Sequence, residues 1–223
     1  MSDRHTPEAP PVPRRGWRRF SRFSLRGLLL LTTLAALQLG WSVERARRQQ
    51  RAVAAVQAIG GYVSFAQGHS SVAEAEQPDW RPHWAPEWIP DQYLQRPEGV
   101  WVPGSDATDF SFLGDLPTLK TACLLNCQHF DDADLRLLVR AKGLRLVSLV
   151  GSGISNAGVA ELQRLPKLQI LQLRGTRIDD RAIPYLRKLR SLAELDVFDT
   201  DLSRAGVAQL AVDLPRCQLF QRP

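Results

Sequence analysis

Cysteine is scarce in this chain of 223 residues, which contains only Cys123, Cys127 and Cys217. Three thiols at irregular spacing do not form a disulfide framework, and no C-x-x-C pair or neighbouring His-Cys cluster offers a tetrahedral metal site. Cys127 and Cys217 fall at positions where small or apolar side chains recur, so both are predicted to be structural. Cys123 falls between two predicted core positions and is expected to point outward, which makes it the candidate for a reactive thiol.

Histidine is also scarce, and the groups that catalysis requires are missing from the pattern. The four histidines are isolated, and the best polar cluster is His129 with Asp131, Asp132 and Asp134. Asp131 belongs to a recurring set of predicted helix N-caps, which accept hydrogen bonds from unpaired backbone N–H groups: Asp131, Ser155, Asp179 and Ser203. Residues 151–153 contain two glycines but lack the lysine of a phosphate loop. The sequence therefore predicts no enzyme, no metal or other cofactor, and no small-molecule substrate.

Basic charge is concentrated at the start of the chain. Residues 1–51 contain 11 arginines, no lysine and 3 acidic residues, whereas residues 52–223 contain 18 basic and 20 acidic residues. A protein that binds nucleic acid needs Lys and Arg clustered on one surface. Because the rest of the chain is mildly acidic, we expect no broad phosphate-binding face and no nucleic-acid partner. Residues 1–22, which are polar and rich in Pro and Arg, are predicted to be a disordered basic tail.

Leucine recurs at regular intervals in the second half of the chain. Shifting the sequence by 24 residues superimposes the same pattern three times. The positions that correspond in the three copies are Leu144, Leu168 and Leu192; Val147, Leu171 and Leu195; Leu149, Leu173 and Val197; and Ile154, Ile178 and Leu202. Such a period predicts a solenoid, in which no repeat can bury its apolar face without its neighbours.

The repeated unit, L-x-x-L-x-L-x-x-[T/S/C]-x-[I/L], resembles the leucine-rich repeat over residues 116–223. The polar pair and small residue that follow, as at 154–158 and 202–206, resemble the cysteine-containing, F-box-associated subclass. The segment 22–26 that precedes a leucine-rich run is similar to the start of bacterial membrane-anchored leucine-rich repeat proteins. The resemblance implies an α/β solenoid of short parallel strands alternating with helices, and a role in binding proteins.

An uncharged run from Gly27 to Val43 predicts a transmembrane helix over residues 23–43. At about 1.5 Å of rise per residue this length reaches across a hydrocarbon core of about 30 Å. A cleavable signal peptide is the alternative, but no small-x-small cleavage site follows the run. Six arginines flank the run on its N-terminal side, at 14–26, and four on its C-terminal side, at 45–51, which favours a cytoplasmic N-terminus and an exported repeat domain in a single-pass membrane protein.

The rest of the chain divides by composition. Residues 44–61 are helix formers closed by two glycines and predict a juxtamembrane helix, and a short strand is expected at 62–66. Residues 62–98 are interpreted as a linker and N-terminal cap, and 99–223 as the repeat domain. The aromatic residues Trp80, Trp84, Trp88 and Tyr93 either seal the open end of the solenoid or form a partner-binding patch. A degenerate first repeat is expected at Val100, Val102, Leu113 and Leu116, and a final strand at Cys217 to Phe220.

The outward-facing strand residues are the candidate binding surface, because alternate side chains of a strand point to opposite faces. Leucines that point inward leave the other positions on the concave side. From that set we predict a partner-binding site at Leu146, Val150, Ile170, Gln172, Arg174, Asp196 and Phe198. Leu125, Leu146, Val150 and Ile170 could form one apolar patch. The alternative is that the linker folds back over this patch.

These features predict a membrane-anchored module that binds an unidentified protein partner through the concave face of its repeats. A structural envelope protein whose repeats self-associate is one alternative. A substrate adaptor for protein turnover, which the subclass resemblance implies, is another, although no F-box-like helical segment precedes the repeats.

The charge bias around the apolar run makes a testable prediction about topology. We expect protease to digest the repeat domain once the outer barrier of the cell is permeabilised, while a cytoplasmic marker stays intact, because the domain lies outside the inner membrane. Immunoblotting against a C-terminal epitope would follow the digestion. Protection of the epitope until the inner membrane is broken would contradict the assigned orientation.

Overall fold

A computed structural model describes residues 25–65 and 96–221. The chain divides into two units, residues 1–42 and 43–223. The elements are α1 (Leu25–Ala58), β1 (Tyr62–Phe65), β2 (Pro97–Pro103), β3 (Thr121–Leu125), α2 (Asp132–Leu138), β4 (Leu146–Ser148), α3 (Asn156–Leu162), β5 (Ile170–Gln172), α4 (Ile183–Leu186), β6 (Glu194–Asp196), α5 (Arg204–Asp213) and β7 (Gln218–Phe220). Two short 3-10 helices, Ser111–Asp115 and Asp180–Ala182, precede β3 and α4.

One continuous helix, α1, covers both the predicted transmembrane segment and the segment that follows it. Its first part exposes large apolar side chains, among them Leu34, Leu37 and Trp41. Further along the same helix Ala52 and Val56 are buried in the core of the second unit. Among the described residues, α1 is the one helix long and apolar enough to cross a membrane, a property that signal sequences share.

Seven strands form one sheet in the order of the sequence, with β1 antiparallel to β2 and every later pair parallel. The register repeats from strand to strand: Thr121 pairs with Leu146, Leu146 with Ile170, and Ile170 with Glu194. Corresponding positions from β4 onward are 24 residues apart, the period read from the sequence. The predicted α/β solenoid of short parallel strands alternating with helices is confirmed by this geometry, and the boundary expected at residue 98 falls inside β2.

The inward side chains of successive strands build a single core. Ala122, Val147, Leu171 and Leu195 follow each other at one level and are fully buried. The predicted degenerate repeat is also present, since Val100 and Val102 of β2, and Leu113 and Leu116 of the following 3-10 segment, are buried in the same cluster. Burying a leucine side chain is worth roughly 1.5–3 kcal/mol, and here each side chain depends on both neighbouring repeats for its cover.

The last strand differs from the sequence interpretation by one residue. The pattern aligned Cys217 and Phe220 with the core positions Leu192 and Leu195, but Leu195 pairs with Leu219 and Asp196 pairs with Phe220. Phe220 is consequently 40% exposed, and Leu219 packs against the core. Leu214 follows Leu189 by 25 residues, and the alignment followed that leucine, whereas the strand itself keeps the 24-residue period.

Strands β2 to β6 each leave the sheet through a turn with a left-handed residue. Positive φ angles occur at Gly104, Asn126, Gly151, Gly175 and Asp199, one per turn. These residue types tolerate the left-handed region at little cost. The next position carries the small polar residue of the consensus, whose side chain donates to a carbonyl two or three residues back: Cys127 to Leu125, Ser152 to Leu149, Thr176 to Leu173 and Thr200 to Val197.

The predicted N-caps are confirmed, and their neighbours connect the repeats. Asp131, Ser155, Asp179 and Ser203 each accept a hydrogen bond from a backbone N–H of the helical turn that follows. The carboxylate of Asp132 also accepts from the backbone N of Ser155 at 2.9 Å and from its Oγ at 2.6 Å. Asp180 accepts from the backbone N of Ser203 in the same way. These aspartates therefore link adjacent repeats.

A glycine in the next helix makes room for each of these aspartates. A Cβ added at Gly158 would collide with Asp132 Oδ1, and one added at Gly206 would collide with Asp180 Oδ1. Both glycines are helical and buried, where alanine would otherwise be preferred by about 1 kcal/mol. The close approach of the carboxylate explains the small residue that follows the polar pair in the repeat.

The N-terminal end of the solenoid is closed by a hairpin and a helix. β1 pairs with β2 along the first edge of the parallel strands, and Val63 of β1 and Val56 of α1 are both fully buried. The strand expected at 62–66 is thus confirmed as β1. Trp80, Trp84, Trp88 and Tyr93, and the tail 1–22, lie outside the described residues, as does most of the linker 62–98.

The aspartate–glycine contact predicts a double-mutant cycle. We expect Gly158→Ala to lower the free energy of unfolding by about 1–3 kcal/mol, although alanine favours helix, because the added methyl group displaces the Asp132 carboxylate. Asp132→Ala should also destabilise, by roughly 1–2 kcal/mol, through loss of its bonds to Ser155. The free energy of unfolding of the double variant should fall by less than the sum of the two single-variant decreases. Urea unfolding measures all three values.

The exposed Asp106, which makes no hydrogen bond among the described contacts, provides the control variant Asp106→Ala, expected to change the free energy of unfolding by less than about 0.5 kcal/mol. Strict additivity of Gly158→Ala and Asp132→Ala would show that the two side chains do not interact.

Candidate functional site

The outward side chains of β2–β7 form a surface in three rows, here called the concave face. The first row follows the strand starts: Thr121, Leu146, Ile170, Glu194 and Gln218. The second row follows the strand centres: Trp101, Cys123, Ser148, Gln172, Asp196 and Phe220. The third row lies at the strand ends: Leu125, Val150, Arg174 and Phe198. All seven residues predicted for the binding site belong to these rows.

The predicted apolar residues lie close together on neighbouring strands. Leu146 and Ile170 are direct partners in the sheet. The carbonyl of Val150 accepts a hydrogen bond from Asn126 N at 2.6 Å, and Arg174 stands in the corresponding place of the next repeat, where its carbonyl accepts from Gly151 N. Leu125, Leu146, Val150 and Ile170 are each half-buried. They form two partly exposed apolar pairs, Leu146 with Ile170 in the first row and Leu125 with Val150 in the third, here together called the apolar strip.

At the end of the third row, a cationic side chain lies over an aromatic ring. The guanidinium carbon of Arg174 lies 4.5 Å from the ring centroid of Phe198, a cation–π geometry. Asp196 Oδ1 accepts a hydrogen bond from the Phe198 backbone N at 2.9 Å. One carboxylate oxygen of Asp196 is therefore used within the turn. Arg174 remains exposed at its far side, so this end of the row presents a fixed positive charge and is less apolar than the pattern indicated.

The middle of the concave face contains a polar group with no described partner. Ser148 is 1% exposed, and its Oγ has no hydrogen-bond partner among the described residues. Its neighbours in the second row are Cys123 and Gln172. Strand alternation placed Ser148 on this face, but nothing in the sequence marked it as enclosed, because its burial depends on the larger side chains around it.

Sequence reasoning missed an aromatic pair at the start of the second row. Tyr62 of β1 pairs with Trp101 of β2, and their rings stack with centroids 5.1 Å apart and planes 3° from parallel. Gly99 lies under the Trp101 ring, where a Cβ would collide with the ring and with Ser64 Oγ. The alternation at 62–66 predicted a strand, but not that it would join this sheet edge and extend the face with two aromatic rings.

Cys123 does not have the environment of a nucleophile. Burial raises the pKa of its thiol from 9.0 to about 11. The raised pKa favours the protonated thiol at neutral pH and disfavours the reactivity expected from sequence, since only the thiolate attacks. Burial also raises the pKa of the Cys127 and Cys217 thiols.

The cluster at His129 serves the turn and the helix start. Asp131 and Asp134 form a capping box, in which Asp131 accepts from two backbone N–H groups and Asp134 accepts from the backbone N of Asp131. Desolvation raises the pKa of the Asp134 carboxyl. In the described part of the chain, no three His, Cys, Asp or Glu side chains converge on a point where a metal ion could be held.

No family model and no curated protein sequence matches the chain. Similar solved structures include an internalin C2 from Listeria monocytogenes, with 19% identity and a TM-score of 0.43 over 55% of this chain and 60% of that one. A leucine-rich repeat receptor kinase ectodomain from Arabidopsis thaliana has 19% identity and a TM-score of 0.37, covering 57% and 70%. A leucine-rich repeat protein from Leptospira interrogans has 16% identity and a TM-score of 0.33, covering 49% and 33%.

The match spans less than two thirds of the internalin chain. At this similarity the leucine-rich repeat assignment depends on the chain's own 24-residue strand register and buried leucine ladder.

The raised pKa of Cys123 predicts slow, pH-dependent alkylation. We expect iodoacetamide to modify Cys123 in the folded protein at pH 8 about 100-fold more slowly than a model thiol, because the thiolate fraction falls tenfold per pKa unit. The rate should keep rising up to about pH 11. Mass spectrometry of the peptide measures this site separately from the other cysteines, and the urea-unfolded protein gives the reference rate. Equal rates in folded and unfolded protein at pH 8 would contradict the buried environment.

Proposed function

We propose that this chain is a membrane-anchored module that binds a protein partner through the concave face of its leucine-rich repeats. The observation that carries the proposal is that the strip residues Leu146, Val150 and Ile170 and the Arg174–Phe198 pair lie on one surface. Aromatic residues and arginine are the types that contribute most to protein interfaces. The resemblance of the sequence to bacterial membrane-anchored leucine-rich repeat proteins supports the same proposal.

The composition of α1 supports the membrane anchor. Its apolar side chains are exposed in the first unit, as contact with lipid requires. The hydroxyls of Thr32 and Thr33, which interrupt the apolar run, donate to the carbonyls of Leu29 and Leu30 at 2.9 Å. They therefore need no water inside a bilayer. With six arginines flanking the run at 14–26 and four at 45–51, the N-terminus is assigned to the cytoplasm and the repeats to the exported side.

The concave face offers a partner both apolar and polar contacts. When a partner covers the strip, burial of its apolar area stabilises the complex by about 25 cal/mol per Å². Gln172 lies between the strip and Asp196 and can donate and accept hydrogen bonds. Trp101 and Tyr62 extend the same surface toward β1 with two stacked rings. The matching partner surface is an apolar protein segment with hydrogen-bonding groups at its rim.

Charge introduced into the strip tests this function. We expect Val150→Asp with Ile170→Asp to abolish capture of the partner, because an unpaired carboxylate buried in an interface costs several kcal/mol. The full chain is crosslinked in its native membrane, and captured proteins are quantified by mass spectrometry. The matched control is Val212→Asp, since Val212 lies on α5 and is 74% exposed.

A partner counts only if the wild type and the Val212→Asp variant capture it equally and the double variant loses it. Circular dichroism must show that the double variant remains folded. Unchanged capture by a folded double variant would exclude the strip as the binding site. A captured protein that is a second copy of this chain, together with a mass in light scattering that rises with concentration, would favour self-association instead.

A further inference from the structure

Charge is unevenly distributed between the two kinds of connection in the solenoid. The five segments that lead into β3, β4, β5, β6 and β7 are residues 116–120, 139–145, 163–169, 187–193 and 214–217. Together they contain ten basic residues and no acidic residue. Because the strands are parallel and in register, all five segments lie along the same side of the sheet. This side is called the basic edge.

The opposite edge has the reverse charge. The segments that leave β2, β3, β4, β5 and β6 are residues 104–110, 126–131, 149–155, 173–179 and 197–203, and they contain six acidic and two basic residues. The net charge of residues 52–223 is therefore close to zero although the two edges carry opposite charge. The charge total of the sequence did not reveal this basic edge, because only the topology brings the ten cations to one side of the sheet.

Helix capping explains part of this asymmetry. Cations are favoured near helix C-termini and anions near N-termini, each by about 0.3–1 kcal/mol. Lys142 has this role, since its Nζ donates to the Val139 carbonyl at 2.9 Å and to the Arg164 carbonyl at 3.2 Å. Lys120 pairs with Glu98, and Arg164 pairs with Glu161.

The other seven cations of the basic edge make no described ion pair or side-chain hydrogen bond, and all ten are exposed. Adjacent strands lie about 4.8 Å apart, which is less than the screening length of about 8 Å at physiological ionic strength. Arg145 is held beside Lys120, to whose carbonyl its backbone N donates at 2.7 Å. The cations therefore repel one another, and an anionic surface that covered the edge would relieve the repulsion.

We propose that the basic edge of the solenoid binds the anionic phospholipid headgroups of a membrane surface. Several cations in a row at about one strand spacing match a plane of phosphates, and each basic residue near an anionic membrane contributes about a fivefold gain in binding. The membrane anchor proposed for α1 favours a membrane over other polyanions, because it keeps the chain at a lipid surface, and this step rests on that proposed function. The partner-binding strip is on a different surface and is not required.

The four lysines of the protein make the test direct, because all of them lie on the basic edge: Lys120, Lys142, Lys167 and Lys188. The full chain is incorporated into nanodiscs of phosphatidylcholine, with or without phosphatidylglycerol, and its lysines are acetylated and quantified by mass spectrometry. We expect phosphatidylglycerol to slow acetylation of Lys167 and Lys188 by about fivefold or more. High salt should abolish the effect.

Two variants give the controls. Arg177→Lys adds an amine to the opposite edge, and its acetylation should be equal in both lipids. Arg187→Glu with Arg190→Glu reverses two charges on the basic edge and should restore fast acetylation of Lys167 in phosphatidylglycerol discs. Equal acetylation of Lys167 and Lys188 in the two lipids would overturn the proposal. Slowing by a short DNA duplex but not by phosphatidylglycerol would also overturn it and would indicate a nucleic-acid surface.

Co-purification with the discs tests the anchor separately. If the chain does not co-purify, the anchor is wrong, and the same labelling is repeated with added phosphatidylglycerol vesicles. Slowed acetylation would then still support lipid binding by the basic edge, and unchanged acetylation would exclude it.

Discussion

Burial of the leucine ladder between neighbouring repeats is the interaction on which the rest of the structure depends. A three-residue strand such as β4 cannot bury Val147 by itself, so its stability comes from the strands and helices on either side. That dependence fixes the register at 24 residues per repeat. A shift of one residue would turn the buried side chains outward and place Ser148 and Gln172 in the core. The same register aligns the residues of the concave face in rows.

The register also determines which residues lie on each surface of the solenoid, so that different surfaces can have different functions. Outward strand positions form the concave face, where the apolar strip, the Arg174–Phe198 pair and the Tyr62–Trp101 stack lie. Segments that leave the strands supply N-caps and acidic residues, and segments that enter them supply cations. The helix dipole favours each sign at its own end, and repetition adds these small preferences into two oppositely charged edges. A partner protein and a membrane surface would therefore use different sides of the same solenoid.

The inter-repeat contacts show which features the sequence pattern can predict and which it cannot. The N-caps could be predicted, because a cap acts on the turn beside it in sequence. The bonds from Asp132 to Ser155 could not, because they join residues 23 apart whose separation depends on the stacking of whole repeats. The same limit applies to Trp101, whose stacking partner Tyr62 is far away in the chain. The alignment of Phe220 was displaced because it followed Leu214, whose spacing from Leu189 differs by one residue from the strand period.

The sequence by itself determined the repeat period, the α/β solenoid, the alternation that chooses inward and outward side chains, and the apolar composition of α1. These properties are local or periodic, so each repeat contains the information for its own folding pattern. Only the tertiary structure decided that Ser148 is enclosed, that Cys123 is too buried to ionise readily, and that ten cations share one edge. Solvent exposure and summed charge depend on which residues of different repeats become neighbours, and that is set by packing across the whole solenoid.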